Sequence, residues 1–426
     1  MNKNQLEFGF AEVDITPSGA VETIGFGRPN EWSHGVLHPL SAQVTIWHCG
    51  AETCCLAAID HIGFSRQHAD QLRCTIGENL HIAKEKVMLC FSHCHSAPND
   101  SAAPEYYQFV CRQMQKASAA ALLNMTPVKA AWGIARTEIG VNRRKGATAL
   151  DDRLGILKVC DSKTGKLKLL LLRLTAHGNV LKADNHLISP DYFGTVRDTL
   201  GTVYSCPIMV TQGASGNIAP KYYQSAINPP DAADERFIRS HTALQDMADI
   251  ILRDAAPVIE HLQPQETSRM TMYARQLPLF ADVPSAEQAH TVAAEAKRFC
   301  GIDGTGWLAE GNRLRKNGVK EQQVPIEIQY FLLGEGCLCG TASEIMCEFA
   351  LQTAQLLKND LFFFGGYTNG CTGYFPTTEE FDKGGYEVYW SLLHFYMYHG
   401  HVFPLRRESA ETLVQFTVQN FLTEQS

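Results

Sequence analysis

Two runs of apolar residues constrain the fold of this chain more than any other feature. Leu167-Lys168-Leu169-Leu170-Leu171-Leu172 and Leu361-Phe362-Phe363-Phe364 lack the alternation of a half-exposed strand and are too short for a helix with one buried stripe. Short runs of this kind, ended by turn residues, are strands covered on both faces, as in the interior of a layered α/β protein. Comparable strand-like stretches lie at 55–60, 86–93, 129–137, 155–161, 166–177, 207–212, 326–333 and 361–366. Helix-like segments separate them at 65–80, 105–123, 234–262, 285–299 and 343–357. Pro257 should kink or end the segment 234–262, and Pro264 closes it. No fixed repeat length runs through the alternation, which excludes solenoids and propellers.

At 426 residues the chain is long for a single domain, whose usual size is about 150 residues. No linker divides it, however, so it reads as one catalytic unit over 1–426. Residues 267–279 alternate like a half-exposed strand. The polar, glycine-bearing stretch 301–323 predicts an irregular excursion or lid within 284–325. The net charge of −8 argues against a nucleic-acid partner, which calls for a basic surplus. No apolar run reaches the ~18 residues of a membrane span. The start, Met1 to Glu7, lacks the apolar segment of a secretory leader. The 14 cysteines are scattered without paired spacing and read as buried, reduced thiols. A cytoplasmic protein with a small-molecule substrate is expected, without a nucleic-acid or membrane partner, and an oligomer is compatible with the sequence.

The sharpest chemical signal is Ser92-His93-Cys94-His95-Ser96, which follows the apolar stretch Val87 to Phe91. Residues i and i+2 of a strand share a face, so His93 and His95 can converge on one ion while Cys94 turns away. The plainer reading is two polar histidines at a strand end. His177 repeats the construction, where a buried strand meets Gly178-Asn179; a lone histidine of this kind is more often structural. The segment Gln212-Gly213-Ala214-Ser215-Gly216-Asn217 is either a loop presenting amides to an anion or a plain tight turn. Aromatic and glycine residues from Tyr367 to Glu387 suggest either a pocket wall or loop packing. The stretch 386–401, rich in aromatic residues and histidine, either closes a pocket or packs as a helix.

Taken in order, these elements resemble the catalytic domain of the neutral (non-lysosomal) ceramidase family. The resemblance is carried by Ala11 to Pro17, Gly25-Phe26-Gly27, Gly35 to Leu40, Ser92 to Ser96 and Asn142-Arg143. It continues through Ala176-His177-Gly178, Leu187-Ile188-Ser189, Gly216 to Pro220, and Tyr374 through Tyr386-Glu387. It implies an α/β fold of two packed β-sheets flanked by helices, built around one zinc ion. By motif, His93, His177, Glu344 and Tyr374 match the family's zinc ligands, Glu344 on the loosest local match. His95 would then carry a proton near neutral pH, and Arg143 and Tyr386 would stabilise an oxyanion. Either Arg143 or Arg144 is the arginine that faces inward. Gly216, Asn217 and Ala219 correspond to the substrate loop.

Two departures shift the expected function. The family has an active-site serine where this chain has Ala219, and its C-terminal immunoglobulin-like domain has no counterpart in the 40 residues after Tyr386 (426 − 386). The expectation is therefore a zinc-dependent hydrolase of an amide bond in a small, polar, intracellular substrate, rather than a ceramidase proper. An ester or lactone hydrolase and a metal-dependent isomerase, epimerase or lyase are the alternatives. A catalytically silent metal- or ligand-binding protein is the third class.

Overall fold

A computed structural model describes residues 5–28, 30–224 and 234–425; residues 1–4, part of the leader reading, lie outside it. Two β-sheets lie face to face. The larger has eight strands in the spatial order Ile208–Gln212, Leu167–Leu174, Arg153–Asp161, Thr126–Arg136, Glu7–Asp14, Ser41–Cys49, Glu52–Ile59, Val87–Phe91. The smaller has four, in the order Met270–Asp282, Glu321–Leu333, Gly336–Gly340, Phe362–Gly365. Trp47, Leu157, Leu169 and Leu171 of the larger sheet share one apolar cluster with Met272, Phe331, Leu338 and Phe363 of the smaller. Helices cover the outer faces. Arg66–Leu80, Pro104–Leu123, Tyr192–Tyr204 and Ala243–His261 lie on the larger sheet, and Cys347–Leu357 and Ser409–Gln425 on the smaller. The architecture is the expected pair of sheets flanked by helices.

The two apolar runs now have their explanation. Leu169 and Leu171 enter the layer between the sheets, whereas Leu170, Leu172 and Leu174 pack under the helices. Phe363 points into the same inter-sheet layer, and Phe362 and Phe364 face the helix side. Neither strand has a face left for water, so neither shows a polar alternation.

Within these two sheets most neighbouring strands are antiparallel, but three pairs are parallel: Glu52–Ile59 with Val87–Phe91, Leu167–Leu174 with Ile208–Gln212, and Gly336–Gly340 with Phe362–Gly365. Each pair is joined through a helix, as a parallel connection requires. The carboxyl ends of these strands lead into His93, His177, Gly213, Thr341 and Tyr367. Loops at the carboxyl ends of parallel strands are where α/β folds gather their sites.

Several expectations change. The stretch 301–323 is not irregular: Thr305–Lys316 is a helix that packs with Ala286–Cys300 around Trp307, Ala289, Ala296 and Leu393. The helix expected over 234–262 starts at Ala243, after turns and the short strand Ile238–Arg239. It runs through Pro257, which lies on the solvent side, where the carbonyl left without a donor can be hydrated. The helix expected from residue 343 starts at Cys347, because Glu344–Ile345 pairs as a strand with Tyr374–Phe375. Ten of the 14 cysteines are buried.

Candidate metal centre

His93, His95 and His177 converge as the sequence spacing suggests, though not by strand alternation. The strand ends at Phe91, and His93 itself has φ +55°, in the left-handed region. Cys94 is fully buried beneath and bridges to Gly178, which brings the loop carrying His177 alongside. The ring centroids lie 4.9 Å apart for His93 and His95, 4.7 Å for His93 and His177, and 5.6 Å for His95 and His177.

All three rings are oriented by the same device. His93 Nδ1 lies 2.7 Å from the Ile62 carbonyl, His95 Nδ1 2.8 Å from that of Gly25, and His177 Nδ1 2.7 Å from that of Ser215. A carbonyl only accepts, so each Nδ1 carries a proton, and in the neutral ring Nε2 presents a lone pair. The backbone approaches His95 this closely because Gly25 has φ +120° and no side chain; a Cβ there would lie 2.7 Å from the His95 ring.

Glu344 closes the group. Its Oε2 is 3.2 Å from His93 Nε2 and 3.6 Å from His177 Nε2. Gly216 makes room for it, since a Cβ at that position would fall 2.5 Å from the Glu344 carbonyl oxygen. Tyr367 reaches Glu344 Oε2 at 3.5 Å and accepts from Ser215 Oγ at 3.1 Å, with its ring centroid 4.2 Å from that of His93.

The Nε2 atoms of His95 and His177 are buried and have no hydrogen-bond partner among the described residues. Two orphaned lone pairs, and a third facing a carboxylate, would be costly without a cation. One ligand nitrogen from each histidine lies within 4.8 Å of the others, so the set can hold a metal ion. Borderline nitrogen donors beside a carboxylate suit a zinc-like divalent ion. Burial, with Arg143 adding to it, pushes His177 down to about 3, and burial holds His95 well below its ordinary value. Both imidazoles are therefore neutral and open to coordination at pH 7. Burial pushes Glu344 up, but positive charge on His93 and His177 outweighs it and holds the carboxyl well below its usual range, and a cation seated among the rings would act in the same direction.

Tyr374 stands beside this group on the short strand parallel to Glu344, its hydroxyl accepting from Arg143 Nη2 at 3.0 Å. Arg143 also donates to the Gly216 carbonyl at 2.8 Å and to Glu387 at 3.0 Å. Arg144 turns the other way, to Glu380, Glu387 and the Gly384 carbonyl. Arg143 is thus the arginine beside Tyr374. The Tyr386 ring is 5.9 Å from that of Tyr374, edge to face. Burial raises both phenols, so they are neutral donors at pH 7.

The loop after Ile208–Gln212 is differently employed. Gly216 N–H donates to the Ile345 carbonyl. Asn217 donates to Glu348 at 2.8 Å and accepts from Cys347 N–H at 2.9 Å, which caps the helix Cys347–Leu357 from a distance. Ala219 pairs with Val141 in a short strand and is buried. The Asn217 side chain therefore serves the scaffold that carries Glu344. Tyr367 and Glu387 contribute to the site although the sequence assigned neither a role; Tyr367 opens the aromatic, glycine-bearing stretch and Glu387 stands beside Tyr386 in the segment that carries the resemblance. In the stretch 386–401, Trp390 stacks on Phe299 while Phe395, Tyr398 and His399 line a cleft that reaches His93 and Glu344. The stretch both packs as helix and walls the site.

Among solved structures, the chain is similar to neutral ceramidase from Pseudomonas aeruginosa, with a TM-score of 0.69 at 16% identity over 90% of this chain and 70% of that one. It is also similar to a ceramidase in complex with C2, with a TM-score of 0.71 at 16% identity over 97% of this chain and 74% of that one. No family model and no curated protein matches the sequence. The chain has the fold of neutral ceramidase.

Proposed function

We propose that this protein is a zinc-dependent hydrolase of an amide bond in a small substrate. One observation carries the reading: three buried imidazoles, each with its Nδ1 proton fixed on a backbone carbonyl, bring ligand nitrogens within 4.8 Å of one another, and two of them face Glu344. His93, His177, Glu344 and Tyr374 would hold the ion, which supplies a Lewis acid for the carbonyl and acidifies water.

The chain's own groups account for the remaining steps. His95 Nε2 accepts a proton from the attacking water and returns it to the leaving nitrogen, so that water and amide yield acid and amine. Tyr386 donates to the carbonyl oxygen as charge develops on it. Arg143 fixes the Tyr374 oxygen while Glu387 and the Gly216 carbonyl fix Arg143. A cytoplasmic setting is supported by the abundance of cysteines buried as thiols.

A second reading has one specific support. Ala219 offers only a methyl group where the ceramidase family has a serine, which favours an isomerase or lyase on the same scaffold. Turnover in ¹⁸O-water separates the two. One label in each product carboxylate supports hydrolysis of the amide (or of an ester or lactone). An unlabelled product transfers the reading to the isomerase or lyase class.

A further inference from the structure

The cleft that reaches the metal centre carries a charge that the metal centre does not use. It encloses about 540 Å³, is bounded by His93 and Glu344, and is walled by Ile24, Ile62, Phe395 and Tyr398. Asp100 lines it too, and the residue is only 3% exposed.

Only half of the Asp100 carboxylate is employed. Its Oδ2 accepts from His68 Nδ1 at 2.6 Å and from Ser65 N–H at 3.4 Å. Its Oδ1 has no hydrogen-bond partner among the described residues. The carboxylate cannot turn to bring Oδ1 elsewhere without breaking these bonds, and the His68 ring is itself held in a stack on Tyr107, with centroids 4.0 Å apart. A carboxylate oxygen kept out of bulk water without a donor is costly unless a ligand completes it.

The cleft supplies no cation of its own for that oxygen. Among the described residues no lysine or arginine lines it. Arg66 lines the neighbouring groove instead and gives one nitrogen to the Pro325 carbonyl. His399 lines the cleft, but burial lowers its imidazole to about 3 and leaves it uncharged at pH 7. The rest of the wall suits a cation on an apolar stem. Phe395 and Tyr398 contribute aromatic rings, which attract positive charge over their faces, and Ile24 and Ile62 contribute aliphatic surface. A group that donates to a carboxylate, is drawn to aromatic rings and arrives on an alkyl stem is a primary ammonium.

Resting on the amide-hydrolase reading, we infer that Asp100 is a specificity-determining residue that selects an amide bearing a primary ammonium on an alkyl stem, with the stem against Ile24 and Ile62 and the ammonium on Asp100 Oδ1. Asp100 then meets the substrate away from the bond that breaks, and its effect falls on which amides are accepted.

The test measures kcat/KM for N-acetylated diamines with three to five carbons between the nitrogens, for N-alkylacetamides of matching length, and for N-acetylated ω-amino acids, which end in a carboxylate. A mirror set, N-methylamides of ω-amino acids against N-methylalkanamides, places the ammonium on the acyl half. In one of the two sets the wild type should prefer the ammonium compound to its neutral match by about 10-fold or more. Asp100→Asn, which keeps the shape, should shrink that ratio by about 10-fold, and Tyr398→Leu by about 2- to 5-fold. If the melting curve shows that Asp100→Asn does not fold, Tyr398→Leu decides. Equal rates for charged and neutral compounds in both sets, a preference for the carboxylate, or a ratio that the folded variant leaves unchanged overturns the inference. If no amide is hydrolysed, the amide-hydrolase reading fails alone and calorimetry with the same compounds as ligands decides. Binding of an ammonium compound weakened by the folded variant then upholds the site, and absent or unaltered binding overturns it.

Discussion

His93 Nε2 lies 3.2 Å from Glu344 Oε2 while the Nδ1 proton of the same ring is committed to the Ile62 carbonyl. A neutral imidazole in that tautomer turns a lone pair toward a carboxylate, so a cation between them relieves the contact. The purified protein should therefore hold about one divalent ion per chain by elemental analysis. A ligand that binds only the folded state stabilises it by mass action. Chelation should lower the melting temperature by several degrees and added zinc should restore it. His177→Ala should abolish both the metal and the response to chelator; a melting curve indifferent to chelation in the wild type would remove the metal centre.

His95 is the member of the cluster whose role is most open to test. Its Nε2 is as free as that of His177 but lies away from Glu344, which touches only the other two rings. His95→Ala should keep the metal and lose turnover by about 100-fold or more, the range of a general acid–base group. His93→Ala and His177→Ala should lose the metal. Loss of metal from His95→Ala would make this a three-histidine site instead.

His399, on the wall of the cleft that reaches His93 and Glu344, gives a pH prediction. Burial, with His401 adding a smaller push, lowers its imidazole to about 3. The unfolded chain takes up that proton below about pH 6.5. Between those values the unfolded state binds more protons, so stability falls as pH drops from about 6.5 toward 3 and is unaffected above. One such group costs about 2 kcal/mol by pH 5. His61 and His401 are shifted the same way, again by burial. Denaturant titrations at pH 7 and pH 5 should show the loss, and His399→Gln should reduce it by about one proton's worth.

Much of this was legible in the chain, and for identifiable reasons. The runs at 169–172 and 362–364 report burial directly, because a side chain with no wet face has no use for polarity. The site histidines stand where those strands or their partners end, so position and residue type agree. What stayed hidden depends on contacts made at long range. The distal capping of Cys347 by Asn217 joins residues 130 apart in sequence, and a glycine–serine-bearing loop reads the same whether it meets substrate or helix. The helix Thr305–Lys316 buries little beyond Trp307, Gly311 and Leu314, too sparse a stripe to outweigh its polar residues. The left-handed backbone at His93 has no sequence signal, since such conformations favour glycine or asparagine and here serve ring placement.

Asn217→Ala should act on stability before chemistry. It removes the acceptor from a buried Cys347 N–H and the donor to Glu348. Leaving such groups unpaired costs about 1–3 kcal/mol. The helix that follows Glu344 would then be less firmly anchored, and metal affinity should fall modestly in step. A denaturant midpoint equal to that of the wild type would show that Asn217 carries no structural load.

Arg143→Lys separates charge from geometry. The guanidinium serves three acceptors at once, the Tyr374 hydroxyl, the Gly216 carbonyl and Glu387, which a single ammonium cannot reproduce from one position. Support of a ligand oxygen by such a partner is typically worth 10- to 100-fold in activity or metal affinity, so a loss of about that size is expected in kcat with KM little changed. Arg144→Lys should instead loosen the segment around Glu380 and Glu387 and lower the melting temperature, because Arg144 bonds there and not to Tyr374. Equal kinetic losses in the two variants would mean that Arg143 acts as one more surface charge, and that the oxygen of Tyr374 is placed by its strand pairing with Glu344 alone.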